Sequence, residues 1–307
     1  YSAAYEVYSI MLIISCYSLP LAVSKVVSAK MSKRQYKNAN RAFQCAMIFA
    51  LVAGGLTFLI VEVFGDIIAS KFILEPMSAM ALKVLGPALL IVSVMGVFRG
   101  YFQGLGTMMP TAISQIIEQI FVLIASIAGA FILYNRGEKV GALLHNENYA
   151  PSYGAAGASL GPVIGSLIGL IFLLMVYLSY RGKFQNQVKK DVNSTVDSYR
   201  TIFRLIVLTI LPVLLSSTVY NISNIIDIRI YNSVMIQKGM QDVKAYNWGV
   251  YSGKYRVLVN VPIALANAMC SSIVPVLTGL IVREEYRQAK EKIGQAMRFT
   301  MIVAIPS

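Results

Sequence analysis

The sequence contains a single histidine, His145, and three cysteines, Cys16, Cys45 and Cys270, with no CxxC pair among them. One imidazole and three scattered thiols do not assemble a metal centre, so neither a metal site nor a His-dependent triad is expected. Each cysteine lies in or beside an apolar run and reads as a buried free thiol. No GxxxxGK[ST] loop occurs, which removes the signature of an ATP-driven engine. Charge is scarce as well: 13% of the 307 residues are Asp, Glu, Lys or Arg, 57% are hydrophobic, and the mean hydropathy is +0.65. These values exclude an ordinary soluble domain. The few carboxylates form no cluster at one membrane face, as a membrane transferase would want, so no catalytic residue and no cofactor is expected.

What the chain does have is apolar runs of about 20 residues, long enough to cross a hydrocarbon core of about 30 Å as helix. They recur at about 5–28, 42–64, 80–98, 112–134, 154–180, 203–231 and 249–281. Membrane strands would instead alternate over about 10 residues, so an all-α polytopic membrane protein is expected. The net charge of +13 raises the question of nucleic acid, and its distribution answers it. Lys30, Lys33, Arg34, Lys37 and Arg41, then Arg99, then Arg181, Lys183, Lys189, Lys190 and Arg200, then Arg283, Arg287, Lys290 and Lys292 fall in alternate connections. The other connections hold Lys71, Arg136, Lys139, Lys238 and Lys244, with Lys83 just inside a span on the same side. The basic set faces the cytoplasm under the positive-inside rule, which puts 181–200 inside and 135–153 outside. The basic excess reports topology, and no nucleic-acid partner is expected.

An internal repeat organises the chain. The first span opens on EVYS (6–9), carries Pro20 and emerges into RQYKNAN (34–40). The seventh opens on GVYS (249–252), carries Pro262 and emerges into EEYRQAK (284–290). An even number of crossings separates the copies, so the repeat is parallel, with its axis along the membrane normal, as in transporters built from two similar bundles. The sequence opens on Tyr1 and stops inside a new apolar run, so a fragment with both ends cut is expected.

Several polar residues interrupt the apolar background. Between two spans, Arg99–Thr111 reads as a short cytoplasmic turn, with Gly100, Gly104 and Gly106 allowing tight geometry and Pro110 opening the next helix. Arg99 is expected to anchor at the interface more than to touch substrate. Gln115, Glu118 and Gln119 fall on one side of the fourth span, about two turns in, where a carboxylate must face protein or water. An interhelical hydrogen-bond cluster and a functional cavity both fit. Gly157, Gly161, Gly165 and Gly169, at four-residue steps, form a packing stripe. In the sixth span Tyr220, Asn224, Asp227 and Tyr231 line one side beside Asn221, with Arg229 close by. Lys254 and Arg256 begin the next, antiparallel span at similar depth, where either could pair with Asp227 or both could be interface anchors. Lys25 lies about a turn inside the first span, where snorkelling and cavity lining are both open.

The strings FRGYFQGLGTMMPTAISQIIEQ, LPLAVSKVVSAKMSKRQY, YGAAGASLGPVIGS and GVYSGKYRVLVNVPIALANAM, spread over nearly the whole chain, carry a family likeness. Together they resemble the polysaccharide-transporter branch of the multidrug/oligosaccharidyl-lipid/polysaccharide (MOP) flippase superfamily. The likeness is to the stage V sporulation protein B group and to peptidoglycan-precursor lipid flippases. The resemblance implies two pseudo-symmetric six-helix bundles in a V, a MATE-like arrangement. On that template the fragment lacks the first helix, which carries charged cavity residues in related flippases, and the end of the second bundle. It would hold helices two to six of the first bundle over 1–180, a cytoplasmic linker over 181–202, and the start of the second bundle over 203–307.

The function so implied is a non-enzymatic flippase in the bacterial inner membrane, moving a lipid-linked saccharide of the polyprenyl pyrophosphate type, such as a peptidoglycan or related cell-wall precursor, to the outer leaflet by alternating access. Vegetative and sporulation roles both fit. Lys25, Arg229, Lys254 and Arg256 are the candidate cations for the pyrophosphate, and they outnumber Glu118 and Asp227, which suits an anionic substrate. Gln115, Glu118, Gln119, Asn224 and Asp227 are candidates for a polar cavity or for coupling to a monovalent cation or the membrane potential. Membrane lipids are the other expected partners. The alternative is a cation-coupled multidrug exporter of the same superfamily, which would favour acidic and aromatic cavity residues.

Overall fold

A computed structural model describes residues 1–146, 148–191, 196–262, 264 and 285–305, and every regular element among them is helical. The helices are α1 (Ser2–Leu12), α2 (Leu19–Ser32), α3 (Tyr36–Ile67), α4 (Ser78–Gly104), α5 (Met109–Leu144), α6 (Tyr149–Lys190), α7 (Tyr199–Gln237), α8 (Gln241–Val250) and α9 (Tyr286–Ala304). Taking α1 and α2 as one broken helix, six segments are long and apolar enough to cross a membrane: Ser2–Ser32, Tyr36–Phe72, Ser78–Gly104, Met109–Leu144, Tyr149–Lys190 and Tyr199–Gln237. They coincide with the first six expected spans, and the chain is a polytopic all-α membrane protein. Most of the seventh expected span, 249–281, with Cys270, lies outside the described residues.

The helices run further than their apolar cores. α5 reaches Leu144 and α6 begins at Tyr149, so the connection expected over 135–153 shrinks to a few residues. At its other end α6 continues to Lys190, so much of the expected linker is helix, ending in Lys189 and Lys190 where cations offset the helix dipole.

The first span breaks where proline dictates. Pro20 has no N–H to donate to the carbonyl four residues back, that of Cys16, and the chain passes through a π turn over Ile13–Tyr17 before α2 begins with Pro20 in its first turn. The second copy also has a π turn, over Tyr251–Tyr255 after α8, but in another register: it overlaps GVYS and ends seven residues before Pro262, where the first ends three before Pro20. The two exits also match: α3 and α9 both open at the repeat's tyrosine, after Gln35 at φ −89°, ψ 68° and Glu285 at φ −82°, ψ 56°.

Contacts divide the chain into two compact units, one taking in Ala3–Gly239 and the other Met240–Ser307. Within the first unit α5 packs along α6, α4 sits against α6, α3 and α2, and α7 lies on α3 and α2. At the core Phe43 of α3 meets Tyr101 of α4 at 4.8 Å and Tyr177 of α6 at 5.3 Å between ring centroids. Phe184 packs edge-on against Tyr101 at 5.6 Å.

Glycine sets the closest approaches. A Cβ on Gly161 would lie 2.7 Å from the Val122 carbonyl oxygen, and one on Gly165 2.8 Å from that of Glu118, so the α6 stripe packs on the α5 backbone as expected. The reading of 99–111 as a turn needs correction. Arg99, Gly100 and Gly104 are helical, and the turn is confined to 105–108, where Gly106 takes φ +84° and Pro110 opens α5. Gly100 and Gly104 serve packing instead, since their Cβ atoms would meet the Pro20 carbonyl oxygen at 2.6 Å and Val27 Cβ at 2.7 Å.

Overpacking costs typically about 1–3 kcal/mol, and more where the obstacle is backbone. Gly161→Leu or Gly165→Leu is therefore expected to lower the folded fraction in detergent sharply while leaving transport per folded molecule and its substrate preference intact. Normal folding with altered preference would place the stripe on the transport path instead.

Candidate functional site

The polar groups of the membrane interior fall into three places. The first lies between α4 and α5. Arg99 Nη2 donates to Glu118 Oε2 at 2.7 Å and its Nε donates to Ser114 Oγ at 3.1 Å. Ser114 is buried, and its hydroxyl donates to the Thr111 carbonyl of its own helix at 2.7 Å. The side chains of Arg99 and Glu118 are 12% and 15% exposed, so solvent screens the pair little. Arg99 is therefore not the interface anchor its position suggests but the partner of the intramembrane carboxylate. The expected polar trio divides accordingly: Glu118 turns to Arg99, and Gln115 and Gln119 are exposed on its flanks.

A second place lies around the π turn that follows α3 and the part of α7 near it. Arg229 of α7 stacks its guanidinium over the Phe72 ring at 5.0 Å, on the π turn that ends the second span. Asp227, two residues before Arg229, is exposed, and Asn224 is half-buried. Asn221 donates to the Ser217 carbonyl of its own helix at 2.8 Å, while buried Asn232 reaches across to the Ile73 carbonyl at 2.7 Å. Between α3 and α4, Lys83 donates to Asp66 at 2.6 Å. Lys254, exposed, and Arg256, half-buried, lie at and just after the π turn of the second unit, beside the stacked rings of Tyr251 and Tyr255 at 5.7 Å.

The third place is at the other end of the first unit, where the α6–α7 connection meets α2 and α3, and sequence reasoning missed it. Lys30 donates to Asp197 Oδ2 at 2.5 Å, the Asp197 N–H donates to Asn38 Oδ1 at 2.9 Å, and Arg41 donates to the Asp197 carbonyl. Arg41 also lies over the Tyr199 ring at 4.6 Å, the Tyr199 hydroxyl donates to Gln44 Oε1 at 3.1 Å, and the Lys37 N–H donates to Asp191 Oδ2 at 3.0 Å. These bonds clasp the α6–α7 connection onto the ends of α2 and α3. The available signal was that Asp191 and Asp197 are the only carboxylates in the basic stretch from Arg181 to Arg204. Lys25, one turn and more above the clasp, is exposed on α2. Among the described residues no group of three or more His, Cys, Asp or Glu could hold a metal ion.

Comparison with known proteins adds a third line. A family model described as "Polysaccharide biosynthesis protein" matches residues 1–281. The lipid II flippase MurJ of Bacillus subtilis is 25% identical over 314 residues, 99% of this chain and 55% of that protein. The stage V sporulation protein B of the same organism is 27% identical over 108 residues, 34% of this chain and 20% of that protein. The chain thus spans just over half the length of the first relative and a fifth of the second. No solved structure gives a significant match.

Removing one member of a buried ion pair leaves an uncompensated charge and costs about 3–5 kcal/mol, whereas replacing both with apolar groups can be close to neutral. Arg99→Met is therefore expected to lower the melting temperature well below that of the double variant Arg99→Met/Glu118→Met, measured in detergent. Equal destabilisation by the single and double changes would show that the pair is not coupled.

Proposed function

The chain belongs to the polysaccharide biosynthesis protein family, and from that premise we propose that it moves a lipid-linked saccharide from the inner to the outer leaflet of a bacterial cell membrane by alternating access. The similarity to a lipid II flippase over 99% of the chain carries this reading and points to a peptidoglycan or related envelope precursor as cargo. On the same reading α7 begins a second bundle that continues through residues 240–307, with 181–202 as the connection. The matching exits of the two repeat copies, at Tyr36 and Tyr286, support that division.

The electrostatics support an anionic cargo. The Arg99–Glu118 pair is neutral as a unit, so among the candidate residues Lys25, Arg229, Lys254 and Arg256 are set against Asp227 alone. A diphosphate entering a low-dielectric region needs such cations, and charge-assisted hydrogen bonds from Lys or Arg are its strongest side-chain partners. Lys254 and Arg256 lead, lying together at the π turn near the start of the expected seventh span. Asp227 is the preferred coupling group, since Glu118 is held by Arg99. The transport step makes and breaks no covalent bond, so no catalytic residue is assigned. A cation-coupled drug exporter would reverse this charge balance, and neither named relative is a drug exporter.

Lys254→Gln/Arg256→Gln is expected to reduce binding of a pyrophosphate-linked polyprenyl saccharide by about a hundredfold or more, at roughly 1.5–3 kcal/mol for each charged hydrogen bond, and binding of a neutral analogue far less. Binding and flipping in reconstituted vesicles measure both. An unchanged preference for the charged lipid would remove these residues from the site, and absence of flipping by the unaltered protein would remove the flippase reading.

A further inference from the structure

The cytoplasmic ends of α2 and α7 enclose a groove of about 330 Å³ whose lining includes Lys25, Val26, Lys30, Lys33, Leu205 and Thr209. Lys25 and Lys30 belong to α2, and Lys33 follows its last residue, Ser32. Eight residues of helix rise about 12 Å, so Lys25 lies roughly two turns deeper than Lys33. Lys30 is spent on Asp197 at 2.5 Å, whose backbone is fixed in turn by Asn38 and Arg41. Lys25 and Lys33 are exposed, and among the described residues no carboxylate pairs with either. The groove therefore combines a fixed wall, two uncompensated cations and an apolar flank of Val26 and Leu205.

That combination suits an amphiphile with an anionic head, because a soluble anion has no use for the apolar flank and an acyl chain none for the lysines. We propose that the groove binds the phosphate headgroup of an anionic phospholipid of the cytoplasmic leaflet, with the phosphate on Lys33 and Lys25 and an acyl chain along Val26 and Leu205. Basic pockets between membrane helices on the cytoplasmic side take such headgroups, and the long lysine stems reach the headgroup level from within the span. The volume accommodates a phosphate with its glycerol and leaves no room for an oligosaccharide. A lipid seated there touches α2 and α7 together and reinforces the clasp at Asp197. On this assignment Lys25 leaves the set of cargo candidates, which keeps Arg229, Lys254 and Arg256.

Native mass spectrometry and thermal unfolding of the purified full-length protein, in phosphatidylcholine with and without phosphatidylglycerol, test it. Phosphatidylglycerol is expected to be retained preferentially and to raise the melting temperature. Lys25→Gln/Lys33→Gln should reduce that preference about tenfold or more. Lys139→Gln/Lys238→Gln, an equal loss of charge at the outer side, should leave it intact. If the double variant fails to fold, Lys33→Gln alone should still weaken the preference several-fold. A preference unchanged in the Lys33 variant, or reduced equally by the outer-side control, overturns the proposal. So does protection by inorganic pyrophosphate in detergent equal to that by phosphatidylglycerol, which would assign the groove to a soluble anion. Displacement of phosphatidylglycerol from these lysines by polyprenyl diphosphate at lower concentration would assign it to the cargo.

Discussion

A guanidinium and a carboxylate 2.7 Å apart, each less than one-sixth exposed, fix α4 against α5 within a span that offers neither group water. Such a pair contributes little net stability beside a well-packed apolar alternative, but it penalises every arrangement that separates its members. It therefore selects a register more than it adds strength. Arg99 must lie opposite Ser114 and Glu118, and sliding α5 by a turn would strand both charges in hydrocarbon. The glycine seam then transmits that register from α5 to α6, because backbone packed on backbone has no soft side chain to absorb a shift. The aromatic group of Phe43, Tyr101, Tyr177 and Phe184 joins α3 to the same block.

The clasp at Asp197 extends the constraint to α7. Lys30, Asn38 and Arg41 hold Asp197 one residue before the Ser198 cap, whose hydroxyl oxygen accepts from the Thr201 N–H at 3.2 Å. The start of α7 is thus fixed from two directions, while much of the rest of that helix is exposed in the first unit. The proposed alternating access needs one body that stays intact while another moves against it, and α3–α6 have the bonding of such a body. Of the charged groups discussed above, Lys25 lies on α2, Lys33 just past its end and Asp227 on α7, all outside that block.

Much of the architecture was legible because hydrophobic length and charge bias are one-dimensional signals. Six spans, the packing glycines of α6 and the opening of α5 at Pro110 follow from the sequence alone. Arg99 did not, because a residue near a span end looks like an anchor until its helix is seen to continue to Gly104. Gly100 and Gly104 were read as turn formers for the same reason, although Pro20 and Val27 require them for contact. The clasp was hidden because Lys30 and Asp197 are separated by 167 residues, and no local period links groups so distant. The reading of Glu118 reached the right residue with two environments open, and only the fold supplies its partner.

The central claim is that α3–α6 move as one body during transport. Spin labels at Ile48 of α3 and Met175 of α6, both well exposed, placed after removal of the native cysteines, report the distance across that body. Pulsed paramagnetic resonance in vesicles, with and without lipid-linked saccharide, is predicted to give the same mean distance and the same width. A shift approaching one helical turn, about 5 Å, on adding the saccharide would contradict the account and place the moving joint inside the block.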